Sequence, residues 1–311
     1  MQTNSPRVSI GLPVFNGERF LPLALEGLLG QTYKDFELIL CDNASTDGTE
    51  KICREFAARD ERIRYYRNET NEGAAANFNK TVHLARGEYF KWSSDDDVCS
   101  ANFLEECVAV LDSDRAAVLV YAKTSCIDEE GKVVGRLFRD VRAADPDPAV
   151  RLGEILSDKA KSCQGIFGLM RTEALRKTPL LQGWWASDRN ILARLALAGR
   201  LVEIDSAEFF FRTHSGRSTR EYPTPQAHSV WFDPKNKGRA VFPRWRLASD
   251  YVTAVREAPL PLRTKAACLW HIIWDFRWVS VLLDLAIAAR EVGRPKLSQR
   301  AVPNTTRQGG S

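Results

Sequence analysis

VSIGLPVFNGERFLPLALEGLLGQTYKDFELILCDNASTDG, residues 8–48, holds two short apolar runs, 8–14 and 36–41, on either side of an amphipathic segment, 18–30. Apolar runs of that length bounded by turn residues read as buried strands, and the longer segment between them reads as a helix. Strand, helix, strand implies a right-handed crossover between parallel neighbours. The alternation continues outward: helix over 49–60, strand over 63–66, helix over 74–85, strand over 89–92, helix over 101–111 and strand over 118–121. The expected fold is therefore α/β, a mostly parallel sheet with helices on both faces.

Past residue 121 the pattern loosens. Glu129-Glu130-Gly131-Lys132 reads as a hairpin turn between Cys126-Ile127 and Val133-Val134. Asp145-Pro146-Asp147-Pro148 interrupts the chain ahead of a helix, and a helix over 188–198 stops at Gly199. Strands follow over 201–204 and 209–212, then a stretch rich in proline and polar residues, 222–243, reads as a loop or lid. Helices are expected over 245–256 and 264–291, with a frayed tail over 296–311.

Of 311 residues 44% are hydrophobic and 27% charged, enough for a large core, which excludes a disordered or fibrous chain. The charge is polarised. Up to Pro234 there are 30 basic against 35 acidic side chains, and after it 14 against 5. A basic end on an acidic body suits an anionic partner, a membrane surface or a nucleic acid, although a solvated basic face accounts for it equally well. No recognisable nucleic-acid reading motif accompanies the basic residues.

The seven cysteines are an odd number, widely spaced and without a C-x-x-C pair, so neither a zinc site nor a disulfide framework is legible. MQTNSPRVSIGLPVF lacks the charged and apolar regions of an export signal, which makes the cytoplasm the expected compartment. Within 269–289, Trp270, Trp274, Trp278 and Leu282 recur every four residues along one helical face. Asp275, Arg277 and Asp284 interrupt the segment short of the ~20 apolar residues a crossing needs. Peripheral docking at the inner face of a membrane, packing on the rest of the chain, or a dimer seam would each use such a face.

In sheets of the expected kind ligands gather outside the carboxyl ends of the strands, which puts weight on Asn16-Gly17, Asp42-Asn43 and residues 93–97. Three consecutive carboxylates, Asp95, Asp96 and Asp97, repel one another unless a cation sits among them. Mg²⁺ or Mn²⁺ is commonly held by one or two carboxylates together with phosphate oxygens and water. One aspartate would serve as a helix cap, but that leaves two unexplained. After the second strand, Asp42 is placed to accept from a base N–H, and Ser45, Thr46 and Asp47 lead into a helix whose first amide groups are expected to be free.

These pieces, in this order and spacing, resemble family 2 glycosyltransferases of the GT-A fold over roughly residues 8–215. The resemblance rests on 8–17 at the first strand, Asp42 to Gly48 after the second, Asn71-Glu72-Gly73 before the third helix, Gly87-Glu88-Tyr89 and the aspartate cluster. It implies a GT-A Rossmann-like catalytic domain over 1–221, with a nucleotide-sugar half over 1–121 and an acceptor half over 122–221. The 222–243 lid, a helical C-terminal region over 244–295 and the tail would follow. Pro13, Val14, Asn16, Glu18, Asn43 and Asn77 would line the nucleotide pocket, and Asp42 would read the base.

Asp96 would bind the metal. The family's Asp-x-Asp-Asp pattern has Ser94 at its first position here, with Asp95 as the substitute contact to the donor. Trp184-Trp185-Ala186-Ser187-Asp188 resembles the family's acidic motif, which makes Asp188 the catalytic base, with Ser187 where glutamate is common. Arg212-Thr213-His214-Ser215-Gly216-Arg217-Ser218 resembles its Arg-x-His-x-x-x-Ser segment, with His214 a second metal ligand and Arg212 or Arg217 offsetting leaving-group charge.

The expected activity is transfer of a hexosyl or deoxyhexosyl group, with inversion, from a UDP- or dTDP-sugar to a hydroxyl of a glycan or lipid-linked acceptor in cell-surface polysaccharide or glycoconjugate synthesis. Two alternatives compete. A nucleotidyltransferase would also use a carboxylate-bound metal, but no Gly-rich Arg/Lys loop follows the first strand. A non-catalytic, membrane-docked relative would tolerate Ser94 and Ser187, yet has no use for the aspartates retained at 95, 96, 97 and 188.

Overall fold

The computed structural model describes residues 5–137, 143–157, 163–239 and 242–276. The first half runs β1 (Val8–Val14), α1 (Leu21–Leu29), β2 (Phe36–Asp42), α2 (Thr49–Arg59), β3 (Ile63–Arg67), α3 (Ala74–Leu84), β4 (Tyr89–Trp92), β5 (Val98–Cys99) and α4 (Phe103–Ser113). Then come β6 (Ala117–Ile127), β7 (Val133–Leu137), α5 (Pro148–Leu156), β8 (Leu169–Arg171), α6 (Thr172–Arg176), α7 (Ser187–Ala198) and β9 (Arg200–Arg212). The remaining helices are α8 (Ser218–Glu221), α9 (Pro225–Phe232), α10 (Pro243–Glu257) and α11 (Leu262–Asp275).

The nine strands form one sheet in the order β3-β2-β1-β4-β8-β6-β9-β5, with β7 paired to β6. From β3 to β4 the pairing is parallel, as the sequence pattern requires. The short β8, which carries no strand signal of its own, is antiparallel to both β4 and β6. β9 runs parallel to β6 and carries β5 antiparallel on its far side. Every residue of β1 and β2 is buried, the signature of central parallel strands covered on both faces.

The two-residue period of β2 sends Leu38 and Leu40 into one core, with Leu12, Leu25 and Phe103, and Ile39 and Cys41 into the other, with Val82, Trp92 and Leu192.

A polar network sets the height of β4, and so of the aspartates that follow it. The Ser9 hydroxyl donates to Glu37 Oε1 at 2.7 Å and accepts the amides of Gly87 (2.8 Å) and Arg86 (3.0 Å), while Arg64 holds Glu37 Oε2 at 2.6 Å. Glu37 is buried. Its removal strands Arg64 and the Ser9 hydroxyl, and breaking a buried pair in this way costs about 3–5 kcal/mol. Glu37→Ala is therefore expected to lower the urea midpoint of unfolding strongly. Glu37→Gln, which retains the Oε1 acceptor, should lose clearly less.

Three departures from the expected pattern have local causes. The strands expected over 201–204 and 209–212 are one strand, β9, because Ile204 pairs with Ala122 and Glu208 with Lys123, leaving 205–207 as a bulge. Residues 222–243, expected to be loop or lid, contain α9: Thr224 caps it by accepting the Ala227 amide at 3.1 Å, and Pro225 occupies its first turn. The end of α9 meets the start of α3, where a Cβ on Gly73 (φ 88°) would lie 2.5 Å from the Phe232 carbonyl oxygen. The single helix expected over 264–291 is α11 over Leu262–Asp275 only, ended by extended backbone at Phe276 (ψ 132°); the rest of the expected span, with Trp278, Leu282 and the 296–311 tail, lies outside the described residues.

Candidate functional site

Four loops meet at the carboxyl ends of the central strands. Antiparallel pairing of Val98 with Phe210 and of Cys99 with Phe209 lays the start of β5 along the end of β9. That pairing brings Asp97 to Arg212, whose amide donates to Asp97 Oδ1 at 2.8 Å. The second oxygen of Asp97 accepts from the Ser94 hydroxyl at 2.7 Å. Asp96 Oδ2 lies 2.9 Å from His214 Nε2 and 3.4 Å from the Arg217 guanidinium, which also reaches Asp97 Oδ1 at 3.1 Å. Aspartates, His214 and Arg217 thus form one cluster.

Burial dominates the electrostatics of that cluster. It pushes the carboxyls of Asp95 and Asp97 up, and the negative charge of Asp96 adds to the effect. Burial also opposes ionisation of Asp96, but the hydrogen bond from His214 and the charge of Arg217 outweigh it and hold that carboxyl low. Asp95 makes no ion pair among the described residues. Its Oδ2 lies under the β1 loop, 2.1 Å from where a Cβ on Gly17 would stand.

Gly17→Ala therefore drives a methyl group into that carboxylate while leaving the Thr49 hydroxyl on the Gly17 amide (2.9 Å) in place. The variant is expected to fold with the Asp95 carboxylate displaced from its place under Gly17, which a crystal structure of the variant checks.

The β1 and β2 loops hold each other. The Asn16 side chain (φ 54°) accepts the Thr46 amide at 2.8 Å, the Glu18 carboxylate accepts the Gly48 amide at 2.6 Å, and Asp47 Oδ1 accepts the Thr49 amide at 3.0 Å. Side chains thus satisfy the amides of Thr46, Gly48 and Thr49 at the approach to α2, while the helix itself has no side-chain cap. Asn16 and Glu18 are nonetheless exposed on the rim.

Asp42 differs from its expected position. It is completely buried: Oδ1 accepts the Ser45 amide at 2.8 Å, and Oδ2 accepts the Tyr65 hydroxyl at 3.1 Å with Arg67 3.5 Å away. In this arrangement it braces the loop, and a base N–H reaches it only if Tyr65 or Arg67 moves aside.

Pro13, Val14, Asn43 and Asn77 are also buried, at the floor beneath the loops. Asn77 donates to the Cys41 carbonyl at 2.8 Å, and Asn43 donates to the Asn71 side chain at 2.9 Å and accepts the Glu72 amide at 3.0 Å.

Arg212 Nε donates to the carbonyl of Asp96 (2.8 Å) and its Nη1 to those of Asp128 and Glu129 (both 3.0 Å), tying the β6–β7 hairpin to the aspartate loop. Of the two arginines, Arg217 is the one set against carboxylates.

Asp188 stands at the start of α7, behind Ala186 in the left-handed region (φ 69°). Its Oδ1 accepts the Arg189 amide at 2.9 Å, and burial raises its carboxyl. It shares no hydrogen bond or ion pair with the aspartate cluster among the described residues.

Sequence reasoning passed over Phe20, which packs at 4.8 Å on the His214 ring and at 4.9 Å under Arg212. It also passed over Lys91, fully buried behind the cluster, whose Nζ donates to the carbonyls of Trp92 (3.0 Å) and Phe167 (2.7 Å). A lysine inside an apolar strand was the available signal for the second; nothing local marks the first.

No three His, Cys, Asp or Glu side chains converge as a complete metal site among the described residues. The donor set does fit a hard divalent ion that takes most of its ligands from a diphosphate and water. Asp96 Oδ2 and His214 Nε2, which hydrogen-bond each other at 2.9 Å, would be the two protein donors, giving up that mutual bond to the ion.

A mixed, mostly parallel sheet flanked by helices, with an acidic cluster at its strand ends, is the architecture of GT-A proteins. The S. aureus TarS 1-349 structure in complex with UDP-GlcNAc matches with a TM-score of 0.65 at 18% identity, over 91% of this chain and 81% of that one. Mannosyltransferase PcManGT from Pyrobaculum calidifontis, in complex with GDP-Man and Mn²⁺, matches at 0.51 and 17% identity over 93% and 87%. The model of glycosyl transferase family 2 matches residues 9–178, and the chain belongs to that family. Putative glycosyltransferase EpsE of Bacillus subtilis (strain 168) is 36% identical over 174 residues, 56% of this chain and 59% of that protein. The chain spans about half the length of such relatives.

Proposed function

We propose that the chain is a metal-dependent, inverting glycosyltransferase that moves a hexosyl or deoxyhexosyl group from a nucleoside diphosphate-sugar, UDP or dTDP preferred, to a hydroxyl of a glycan or lipid-linked acceptor. Cell-surface polysaccharide or glycoconjugate synthesis is the setting that suits those substrates. The cytoplasmic side of the membrane, where nucleotide-sugars are made, is the compartment that goes with this reading. The observation that carries it is the Asp96–His214–Arg217 constellation beside Asp95 at the strand ends.

Asp96 and His214 would hold Mg²⁺ or Mn²⁺, with Asp95 and Ser94 on the donor side. When bound, the ion supplies charge neutralisation for the departing diphosphate. The chain does the rest. The loop pair Asn16/Thr46 and Glu18/Gly48 forms a braced rim for the nucleotide, so little conformational freedom is lost on binding. Arg217 contributes positive charge within reach of the diphosphate side of the cluster. Asp188 takes the proton of the acceptor hydroxyl while that oxygen attacks the anomeric carbon from the face opposite the leaving group. Its burial-raised carboxyl makes it a stronger proton acceptor than a solvated aspartate.

The test is a thermal-shift titration with UDP, dTDP, GDP and CDP, each with and without Mn²⁺. A ligand at about 100 times its dissociation constant adds about 2.7 kcal/mol of stability. One diphosphate should stabilise the chain, more so with Mn²⁺. The Mn²⁺ increment should grow as pH rises, because a metal binds carboxylates only once they lose protons and burial has raised the carboxyls of Asp95 and Asp97. No shift in any of the eight conditions, with calorimetry agreeing, would remove the nucleotide-sugar reading.

A further inference from the structure

Helix α11 is apolar on two faces, and among the described residues one of them packs on neighbouring helices while the other is largely exposed. Cys268 and Ile272 are buried, and the helix packs on α5 and α10. On the outward side Ala266 and Ala267 are exposed, and Trp270, Ile273 and Trp274 are 61%, 57% and 65% exposed, a stripe at helical spacing. Leu262, at the start of the helix, is 85% exposed. The Trp270 and Trp274 rings lie 5.2 Å apart. A contiguous apolar face of this kind marks an interaction surface rather than the scattered apolar exposure normal to soluble proteins.

We infer that this outward face of α11 docks on an anionic lipid bilayer. Two observations select that occupant. The side chains are of the type that suits a membrane–water interface: indole rings combine an apolar body with a polar N–H and gather at headgroup level. The flanking charge is mostly of one sign: Arg263 and Lys265 on α11 stand against the single acid Asp275 at its end, and the whole of 235–311 carries 14 basic against 5 acidic side chains. A second copy of this chain on the same face would set one basic rim against another. Anionic headgroups would meet that rim with opposite charge, while the tryptophans and Ile273 enter the boundary of the acyl layer. No helix among the described residues is long and apolar enough to cross the bilayer, so the contact is peripheral.

The inference stands apart from the proposed transfer reaction, because its readout is lipid binding without donor or acceptor. The test is flotation of the full chain with phosphatidylcholine vesicles, with and without phosphatidylglycerol, at low and high salt. The expected result is capture by the anionic vesicles with a blue shift of tryptophan fluorescence, weakened by salt. Capture should fall at least tenfold in the variant Trp270→Ala/Ile273→Ser/Trp274→Ala. These side chains are exposed, so that variant should melt as the parent does and keep its nucleotide-dependent thermal shift, which separates lost docking from lost folding or a lost donor site. Equal capture by both vesicle types, unchanged capture of the variant, or no capture at all overturns the inference. So does a concentration-dependent dimer in sedimentation velocity that the same three substitutions abolish, which would assign the face to a second copy.

Discussion

Asp188→Asn is expected to lower kcat by about 10²–10⁴-fold while leaving donor affinity within a few-fold of the parent. The substitution is nearly isosteric, and the asparagine oxygen still accepts the Arg189 amide that Asp188 Oδ1 accepts at 2.9 Å, so the start of α7 has no reason to unfold. What disappears is the proposed proton acceptor. Asp188 has no hydrogen bond or ion pair to the aspartate cluster among the described residues, which is why diphosphate and metal binding should survive its loss. Steady-state transfer rates beside donor calorimetry make the comparison. Unchanged turnover would refute the base assignment, and a loss of donor affinity as large as the loss of rate would make Asp188 a binding residue instead.

Asp96→Asn should do the opposite, removing most of the Mn²⁺-dependent nucleotide affinity and, with it, about 10²–10³-fold in kcat/KM, the scale seen when a preorganised electrostatic contact is deleted. His214 at 2.9 Å and Arg217 at 3.4 Å keep Asp96 ionised despite burial, so it is the carboxylate already charged and ready for a cation at neutral pH. Its neighbours are held up by burial and by the charge of Asp96 itself. In the proposed site, neutralising Asp96 thus deletes the charged one of the two groups that would hold the ion. Asp97 still accepts the Arg212 amide at 2.8 Å, so the loop should keep its course and the metal-free melting temperature should change little. Full Mn²⁺-dependent stabilisation by the nucleotide in this variant would take the metal away from Asp96.

The alternation of apolar runs and amphipathic segments was enough to read the strands β1 to β4 and the helices between them, because strands buried on both faces must be apolar throughout and each crossover helix must be apolar on one side. The aspartate run, the hairpin turn at 129–132 and the break ahead of α5 were equally legible, since each rests on the chemistry of adjacent residues. The limit came wherever the partner is distant in the chain. That the Arg212 guanidinium donates to the carbonyls of Asp128 and Glu129, that Gly17 closes over Asp95, and that Asp42 turns inward to Ser45 and Tyr65 depend on loops brought together by strand pairing. The three-residue β8 exists only because β4 and β6 offer it edges on both sides.

For α11 the periodicity showed an aromatic stripe but not which way it faced. Packing against α5 claimed Cys268 and Ile272 and left Trp270 and Trp274 in water. Residue type and spacing determine which segments become strand or helix and which groups have the chemistry to act, because those preferences are local. Which of those groups faces a ligand, which is committed to holding a loop and which stays exposed is decided by contacts between segments far apart in the chain, and only folding brings these together.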